Sequence, residues 1–238
     1  MDVHVVAKKP SADPGTTPSR KAASTAAKST APVAVADAPA STKREQILDA
    51  ATRVFLQHGY EGTSMDRVAS ESGAARRTLY NQFESKEALF EAMTARIWAT
   101  FPVFDITRDE QSLRDPKVGL TRLAQAVSDF WIPPEAVAFL RMVISEGPRF
   151  PSLTKTFFEK GKAPAMGAVA DYIEALAARK LIKVKNPKLA ARQFLGLIDE
   201  PLLWVRVVGL DESYTKAERN EVVQNAVDIF LGFYQVKK

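Results

Sequence analysis

The sequence predicts an all-α fold, and three observations carry that prediction. Apolar residues recur at three- and four-residue spacing along most of the chain from Ile47 onward. Residues that cap helix starts stand in front of these runs, with Gly or Pro behind them. No stretch of useful length alternates apolar and polar residues as a half-buried strand would, and there is no internal repeat.

Taken in order, Thr42-Lys43-Arg44-Glu45 has the form of a capping box, in which Thr42 and Glu45 satisfy each other's free amides. Ile47, Ala51, Val54 and Phe55 follow at helical spacing, and Gly59 is placed to end that helix. Ser64 caps a short second helix with Met65, Val68 and Ala69 inward, closed by Gly73. A third short helix covers about Arg76 to Phe83, with Leu79 and Phe83 anchoring its inner face. Ser85 caps a fourth, whose Leu89, Met93, Ile97 and Phe101 form one stripe. Beyond Pro102 the pattern stays helical. Pro133-Pro134 opens a segment from Ala136 to Ser145 that Gly147-Pro148 stops, and another runs from about Leu153 to Lys180, with a break or kink expected at Gly161 and Pro164. Asn186-Pro187 joins an N-cap to a first-turn proline, opening a helix to about Val208 that Pro201 kinks. Thr215-Lys216-Ala217-Glu218 is a second capping box and starts a last helix to about Tyr234.

Three parts are expected. Residues 1–40 are rich in Ala, Ser, Thr, Pro and Lys and cannot bury enough apolar surface to offset their ordering entropy, so they read as a disordered tail. Residues 41–101 would form a three-helix, helix-turn-helix domain with a linking helix, and residues 102–238 a larger helical domain. No long uncharged apolar run marks a membrane span. Lys8 and Lys9 precede no apolar segment of a secretory signal, and a cytoplasmic location is expected.

Composition excludes several chemistries. The chain has no cysteine, which removes disulfides, thiolate nucleophiles and thiolate metal sites. Its two histidines, His4 and His58, make neither a metal cluster nor a His-based catalytic unit within one chain. Gly161-Lys162 lacks the upstream glycine spacing of a phosphate loop and has Ala163 where Ser or Thr should stand. Neither an enzyme, a metal nor a cofactor is expected.

The net charge of +5 divides into +2 for residues 1–40, zero for 41–101 and +3 for 102–238. The argument for DNA therefore rests on where the basic residues stand. The third helix presents Arg76, Arg77, Thr78, Tyr80, Asn81 and Gln82. Arg reads guanine edges, Asn and Gln can read adenine, and Thr can meet a thymine methyl. Tyr80 and Lys86 suit phosphates, and Lys43, Arg44 and Ser64 could add backbone contacts from the starts of the first two helices.

Ile47-Leu48-Asp49-Ala50-Ala51, Phe55, Gly59-Tyr60, Thr63-Ser64-Met65, Val68-Ala69, Gly73, Thr78-Leu79-Tyr80-Asn81-Gln82-Phe83 and Ser85-Lys86-Glu87-Ala88-Leu89 resemble the TetR regulators over about residues 44–93. The resemblance implies an all-helical homodimer with a small-molecule-binding C-terminal domain, usually a repressor. It places Arg76, Arg77, Thr78, Tyr80, Asn81, Gln82 and Lys86 where the family contacts DNA. Ala75 departs from it: many members have Ser or Thr there, and alanine cannot cap the recognition helix, a loss of about 1 kcal/mol. Residues Leu140 to Pro151 and Ala190 to Leu197 are similar to the AcrR/AefR-like branch, which suggests control of efflux or a stress response.

An apolar or amphipathic effector fits the aromatic- and methionine-rich C-terminal part, with Trp98, Phe101, Trp131, Phe139, Met142, Phe157 and Met166 as candidate walls. For a four-helix dimer interface the sequence offers Phe194, Leu197, Ile198, Leu202 and Val205 on one helix and Val222, Val223, Ala226, Ile229, Phe230 and Phe233 on the next. A two-fold dimer would set its recognition helices about 34–36 Å apart, or further, on a palindromic double-stranded operator. Asp199 and Glu200, beside Pro201 in an apolar helix, could bind a cationic effector, but the expectation is that they face solvent or pair with Arg206 across the dimer. Rival readings are an architectural DNA-binding protein, which needs no pocket, and an enzyme on a helical scaffold, which the missing nucleophile–base pair disfavours.

Overall fold

The computed structural model describes residues 42–210 and 213–234. The expected N-terminal tail, with His4, Lys8 and Lys9, lies outside the described residues. Among those described there are helices and no strand. They are α1 (Lys43–Gly62), α2 (Met65–Ser72), α3 (Arg76–Gln82), α4 (Lys86–Ala99), α5 (Val103–Arg108), α6 (Glu110–Arg114), α7 (Pro116–Phe130), α8 (Pro134–Glu146), α9 (Pro151–Phe157), α10 (Ala163–Ala178), α11 (Pro187–Asp199), α12 (Val205–Val207) and α13 (Lys216–Tyr234). A π-helical turn, Phe158–Lys162, joins α9 to α10, and a second, Glu200–Trp204, joins α11 to α12.

The caps form as the sequence implies. Thr42 Oγ1 accepts from the Glu45 amide, while Glu45 Oε2 accepts from the Thr42 amide at 2.6 Å. Ser64, Ser85, Asn186 and Thr215 cap α2, α4, α11 and α13. Ala75 provides no side-chain cap to α3. Two caps went unread in the sequence: Asp109 accepts from the Ser112 amide at the start of α6, and Asp115 accepts from the Lys117 and Val118 amides ahead of Pro116. Both are the short acidic acceptors that favour this position.

Two expected boundaries shift for physical reasons, and two expected irregularities turn out to be π turns. The first helix is kinked rather than ended at Gly59, whose φ of 72° and ψ of 176° let one more turn follow. The fourth stops at Ala99, so Phe101 packs from the following turn. Between Leu153 and Lys180 the break or kink expected at Gly161 and Pro164 takes the form of a π turn, Phe158–Lys162. Gly161 is buried there under the Trp98 indole, where a Cβ would come within 2.1 Å of Trp98 Nε1. At Pro201, which has no amide to donate, the chain again adopts a π turn.

Two apolar cores result. The larger lies among α7, α10, α11 and α13, with Leu120, Leu123, Val169, Ile173, Phe194 and Val227 at its centre. The smaller holds α1 to α4 around Phe55, Leu79, Leu89, Phe90 and Met93, and is completed by Phe139, Met142 and Val143 of α8 and Leu153 and Phe157 of α9. Trp98 and Leu140 pack against both.

The end of α8 is fixed to the end of α1 by one carboxylate. Glu146 Oε1 accepts from the Tyr60 amide at 2.9 Å, and Oε2 from the Glu61 amide at 2.8 Å. Arg149 then grips the Glu61 carboxylate with two bonds, of 2.6 and 2.7 Å. Gly59 leaves the space for this contact: a Cβ on it would lie 2.3 Å from Glu146 Oε1. Gly59→Ala should therefore cost about 2 kcal/mol through strain at positive φ. Glu146→Gln, which turns an amide donor towards one of the two N–H groups, should cost about 1–3 kcal/mol. Urea unfolding of each variant measures both.

Candidate functional site

The turn between α2 and α3 is held from behind. Lys43 Nζ donates to the Ser72 and Gly73 carbonyls at 3.4 and 3.2 Å. The Arg44 guanidinium lies 4.7 Å from the centre of the Phe83 ring. Leu79 and Phe83 are buried, so α3 is seated by its inner face, as the four-residue spacing implies.

Its outer face is open. Arg77, Tyr80 and Asn81 are exposed and have no side-chain partner among the described residues, and Tyr80 keeps 45% of its surface. Arg76 is also exposed but meets Asp66 of α2 at 2.6 Å. Thr78 and Gln82 are half-buried. The Gln82 side-chain oxygen is shielded and has no hydrogen-bond partner.

The other sequence-derived candidates already have work within the fold. Ser64 Oγ accepts from the Arg67 amide, and Lys86 Nζ donates to the Tyr60 carbonyl at 2.9 Å while lying 4.3 Å over the Tyr60 ring. Thus Arg77, Tyr80 and Asn81 are the free groups of the set, and Lys43, Arg44, Ser64 and Lys86 brace the platform that presents them.

A second candidate site is a small cavity where α4, α7, α10 and α11 meet, with about 40 Å³ of enclosed space. Trp98, Phe101, Phe130 and Trp131 supply four aromatic walls, and Val127, Ala165, Met166, Val169 and Leu195 complete the apolar lining. Lys162 and Asp199 are its charged residues. Of the sequence-derived candidates, Trp98, Phe101, Trp131 and Met166 meet here. Phe139 and Met142 do not: both are buried in the smaller core, one α8 face away. Phe157 stands behind the wall, edge-on to Trp98 with ring centres 5.8 Å apart.

Asp199 corrects the expectation of a solvent-facing or Arg206-paired carboxylate. Leu195 and Asp199 are four apart on α11 and share its cavity face. Asp199 Oδ1 accepts from Trp131 Nε1 at 3.1 Å, while Arg206 donates instead to the Trp131 and Ile132 carbonyls. Phe130, Lys162, Val127, Ala165, Val169 and Leu195 line the cavity without any local sequence signal that marks them for it. Among the described residues no group of three or more His, Cys, Asp and Glu could hold a metal ion, and no helix is long and apolar enough to cross a membrane.

The apolar residues expected between subunits also divide. Phe194, Ile198, Leu202, Val223, Ala226 and Phe230 are buried in their own chain's core, because α11 and α13 pack on α7 and on each other. Leu197, Val205 and Val222 are half-buried, while Ile229 and Phe233 stand 57% and 79% exposed. Leu189, Trp204 and Val208 are further exposed apolar residues on α11 and the turns after it.

Residues 118–236 match the C-terminal domain of AefR-like transcriptional repressors, and residues 47–93 match the bacterial regulatory proteins of the tetR family. A TetR-family transcriptional regulator from Mesorhizobium loti MAFF303099 superposes with a TM-score of 0.71 at 28% identity, over 82% of this chain and 97% of that one. The flavonoid-responsive regulator FrrA does so with a TM-score of 0.66 at 29% identity, over 82% and 98%. The transcriptional repressor ComR of Escherichia coli K12 is 45% identical over 53 residues, 22% of this chain and 25% of that protein. The chain thus spans about a quarter of that curated relative's length, and 48% of the length of another, the Pseudomonas putida repressor NicS.

Burial raises the Asp199 carboxyl from its ordinary 3.8 to about 6, against the opposing pull of Lys162 and of the bond from Trp131. The folded chain therefore holds this proton more tightly than the unfolded chain does. The resulting stabilisation is complete below the ordinary value and is lost as pH rises through about 6. Asp199→Asn, neutral throughout, should melt above the parent protein at about pH 7.5, with the gap largely closed by about pH 3.5. Paired melting curves at the two pH values check this.

Proposed function

Since this chain belongs to the TetR family of bacterial transcriptional regulators, in its AefR-like branch, we propose that it is a cytoplasmic, sequence-specific repressor released from DNA by a small apolar or amphipathic molecule. The observation that carries the reading is the outer face of α3, where Arg77, Tyr80 and Asn81 stand free on a helix anchored by Leu79 and Phe83. A short helix seated on one face and polar on the other is what a major groove admits. Arg77 suits a guanine edge, Asn81 an adenine, Thr78 a thymine methyl, and Tyr80 a phosphate, while Gln82 would first have to turn its shielded oxygen outward to read an adenine. Arg76 would exchange its exposed Asp66 pair for DNA, a small loss because such pairs contribute little. Lys43, Arg44, Ser64 and Lys86 would add backbone contacts at the rim.

The repressor works as a homodimer on a palindromic double-stranded operator, joined through α11 and α13. Ile229 and Phe233 are the apolar anchors of that face, with Leu197, Val205 and Val222 beside them. Exposed apolar surface of this kind is normally covered by a partner.

The effector enters the cavity of Trp98, Phe101, Trp131 and Met166. The name of FrrA, one of the similar structures, speaks of response to a flavonoid, an aromatic compound, and the walls here are aromatic too. Helix α4 carries the response: it begins at Ser85 beside the recognition helix and places Trp98 in the cavity wall. Helix α8 carries it in parallel, through Leu140 on both cores and Glu146 on the end of α1. A ligand acts only through its difference in affinity for the DNA-competent and displaced states, and a hundredfold release needs about 2.7 kcal/mol of such difference. An architectural protein would need no such cavity.

Replacing Arg77 by Ala should weaken operator binding by about 1–3 kcal/mol and relax preference at one base position per half-site. Arg76→Ala should have a smaller effect, because Asp66 already competes for that side chain. Lys86→Gln should weaken binding to all sequences alike and lower the salt dependence. Genome-wide selection of bound fragments, followed by anisotropy titration at several salt concentrations, measures all three. Full operator affinity in a folded Arg76/Arg77 double variant would refute the assignment.

A further inference from the structure

The cavity's two charged residues are of opposite sign and arrive by the same structural device. Lys162 is the last residue of the first π turn, and Asp199 immediately precedes the second. Such turns are uncommon and concentrate at functional sites, because the extra residue redirects the side chains around it. Here the two turns deliver one cation and one carboxylate into an otherwise apolar chamber.

The partners of the two charged groups narrow what such a chamber accepts. Trp131 Nε1 donates to Asp199 Oδ1 at 3.1 Å, and Oδ2 accepts no hydrogen bond from the described residues. A ligand cation would be drawn to Asp199 but repelled by Lys162, and a ligand carboxylate would meet the reverse. A neutral group that both donates and accepts satisfies the pair, and a hydroxyl is the smallest such group. Four aromatic walls favour an aromatic ring beneath it, since offset and edge-on ring contacts add to the burial.

We infer that this cavity recognises an uncharged aromatic hydroxyl compound, a phenol, whose O–H donates to Asp199 and whose oxygen accepts from Lys162. The inference rests on the reading of the cavity as the effector site and adds the polar chemistry of the ligand. At neutral pH Asp199 is largely ionised and so is a strong acceptor. Met166 supplies a flexible wall that can adjust to the ring.

Four compounds sharing one ring and one ethyl group test it on the intact protein: 4-ethylphenol, 4-ethylanisole, 4-ethylbenzoate and 4-ethylbenzylamine. Calorimetric titration should give at least tenfold tighter binding for the phenol than for each of the other three. That advantage over the anisole should vanish in Asp199→Ala and shrink in Lys162→Met, the folding of each variant being checked by circular dichroism. Equal binding of phenol and anisole, or tightest binding of the benzoate or the benzylamine, would overturn the phenol assignment while leaving the cavity as the effector site. If none of the four binds, or if phenol binding survives unchanged in a folded Ala165→Leu variant, the cavity reading fails as well.

Discussion

The arrangement depends on how Glu146 holds the end of α1. A single carboxylate at the C-terminus of α8 takes up the Tyr60 and Glu61 amides, which the kink at Gly59 leaves without helical partners. The contact is charge-assisted and half-buried, the circumstances in which such bonds are strong. It fixes the angle at which α2 and α3 leave α1. Lys86 extends the same junction from α4 by donating to the Tyr60 carbonyl, and Tyr60 Oη donates in turn to Glu87. Helix α3 has only seven residues and no side-chain N-cap, so its orientation is borrowed from this junction.

The junction and the cavity share two elements. Trp98 closes the cavity from α4 and presses on Gly161 of the first π turn, and Leu140 of α8 touches both cores. A ring that displaces Trp98 must move α4 or the π turn, because Gly161 leaves no slack between them. Close-packed interiors pass such displacements on as rigid shifts rather than absorbing them. The polar residues of the cavity follow the same logic. Asp199 lies in apolar surroundings, which is costly, and Lys162 and the Trp131 indole only partly offset that cost. A group that is expensive to bury and incompletely partnered is a common mark of a functional site.

Much of the fold was legible because it is written locally. Capping residues, first-turn prolines and the three-and-four spacing located most helices, and the inner face of α3 followed from Leu79 and Phe83 alone. What stayed hidden depends on tertiary packing. Asp109 and Asp115 were overlooked as caps because the helices they start are short and weakly periodic. The π turns have no sequence signature beyond Gly161 and Pro201, each of which also suits a simple kink. Apolar residues on more than one face of α11 and α13 suggested a dimer surface, yet six of the eleven named are buried in their own subunit because α7 covers that side. Asp199 looked like a surface charge since nothing local shows that Trp131, sixty-eight positions earlier, brings a donor to it.

The central claim is that occupancy of the cavity changes the spacing of the two recognition helices in a dimer. The chain has no cysteine, so Glu84→Cys, at an exposed position just after α3, gives one spin-label site per subunit. Pulsed electron resonance then reads the distance between the two labels directly. With a compound that calorimetry places in the cavity, the distance distribution should shift, and the shift should be smaller in a folded Glu146→Gln variant. An unchanged distribution at saturating ligand, or the absence of any label-to-label distance at micromolar protein, would contradict the account.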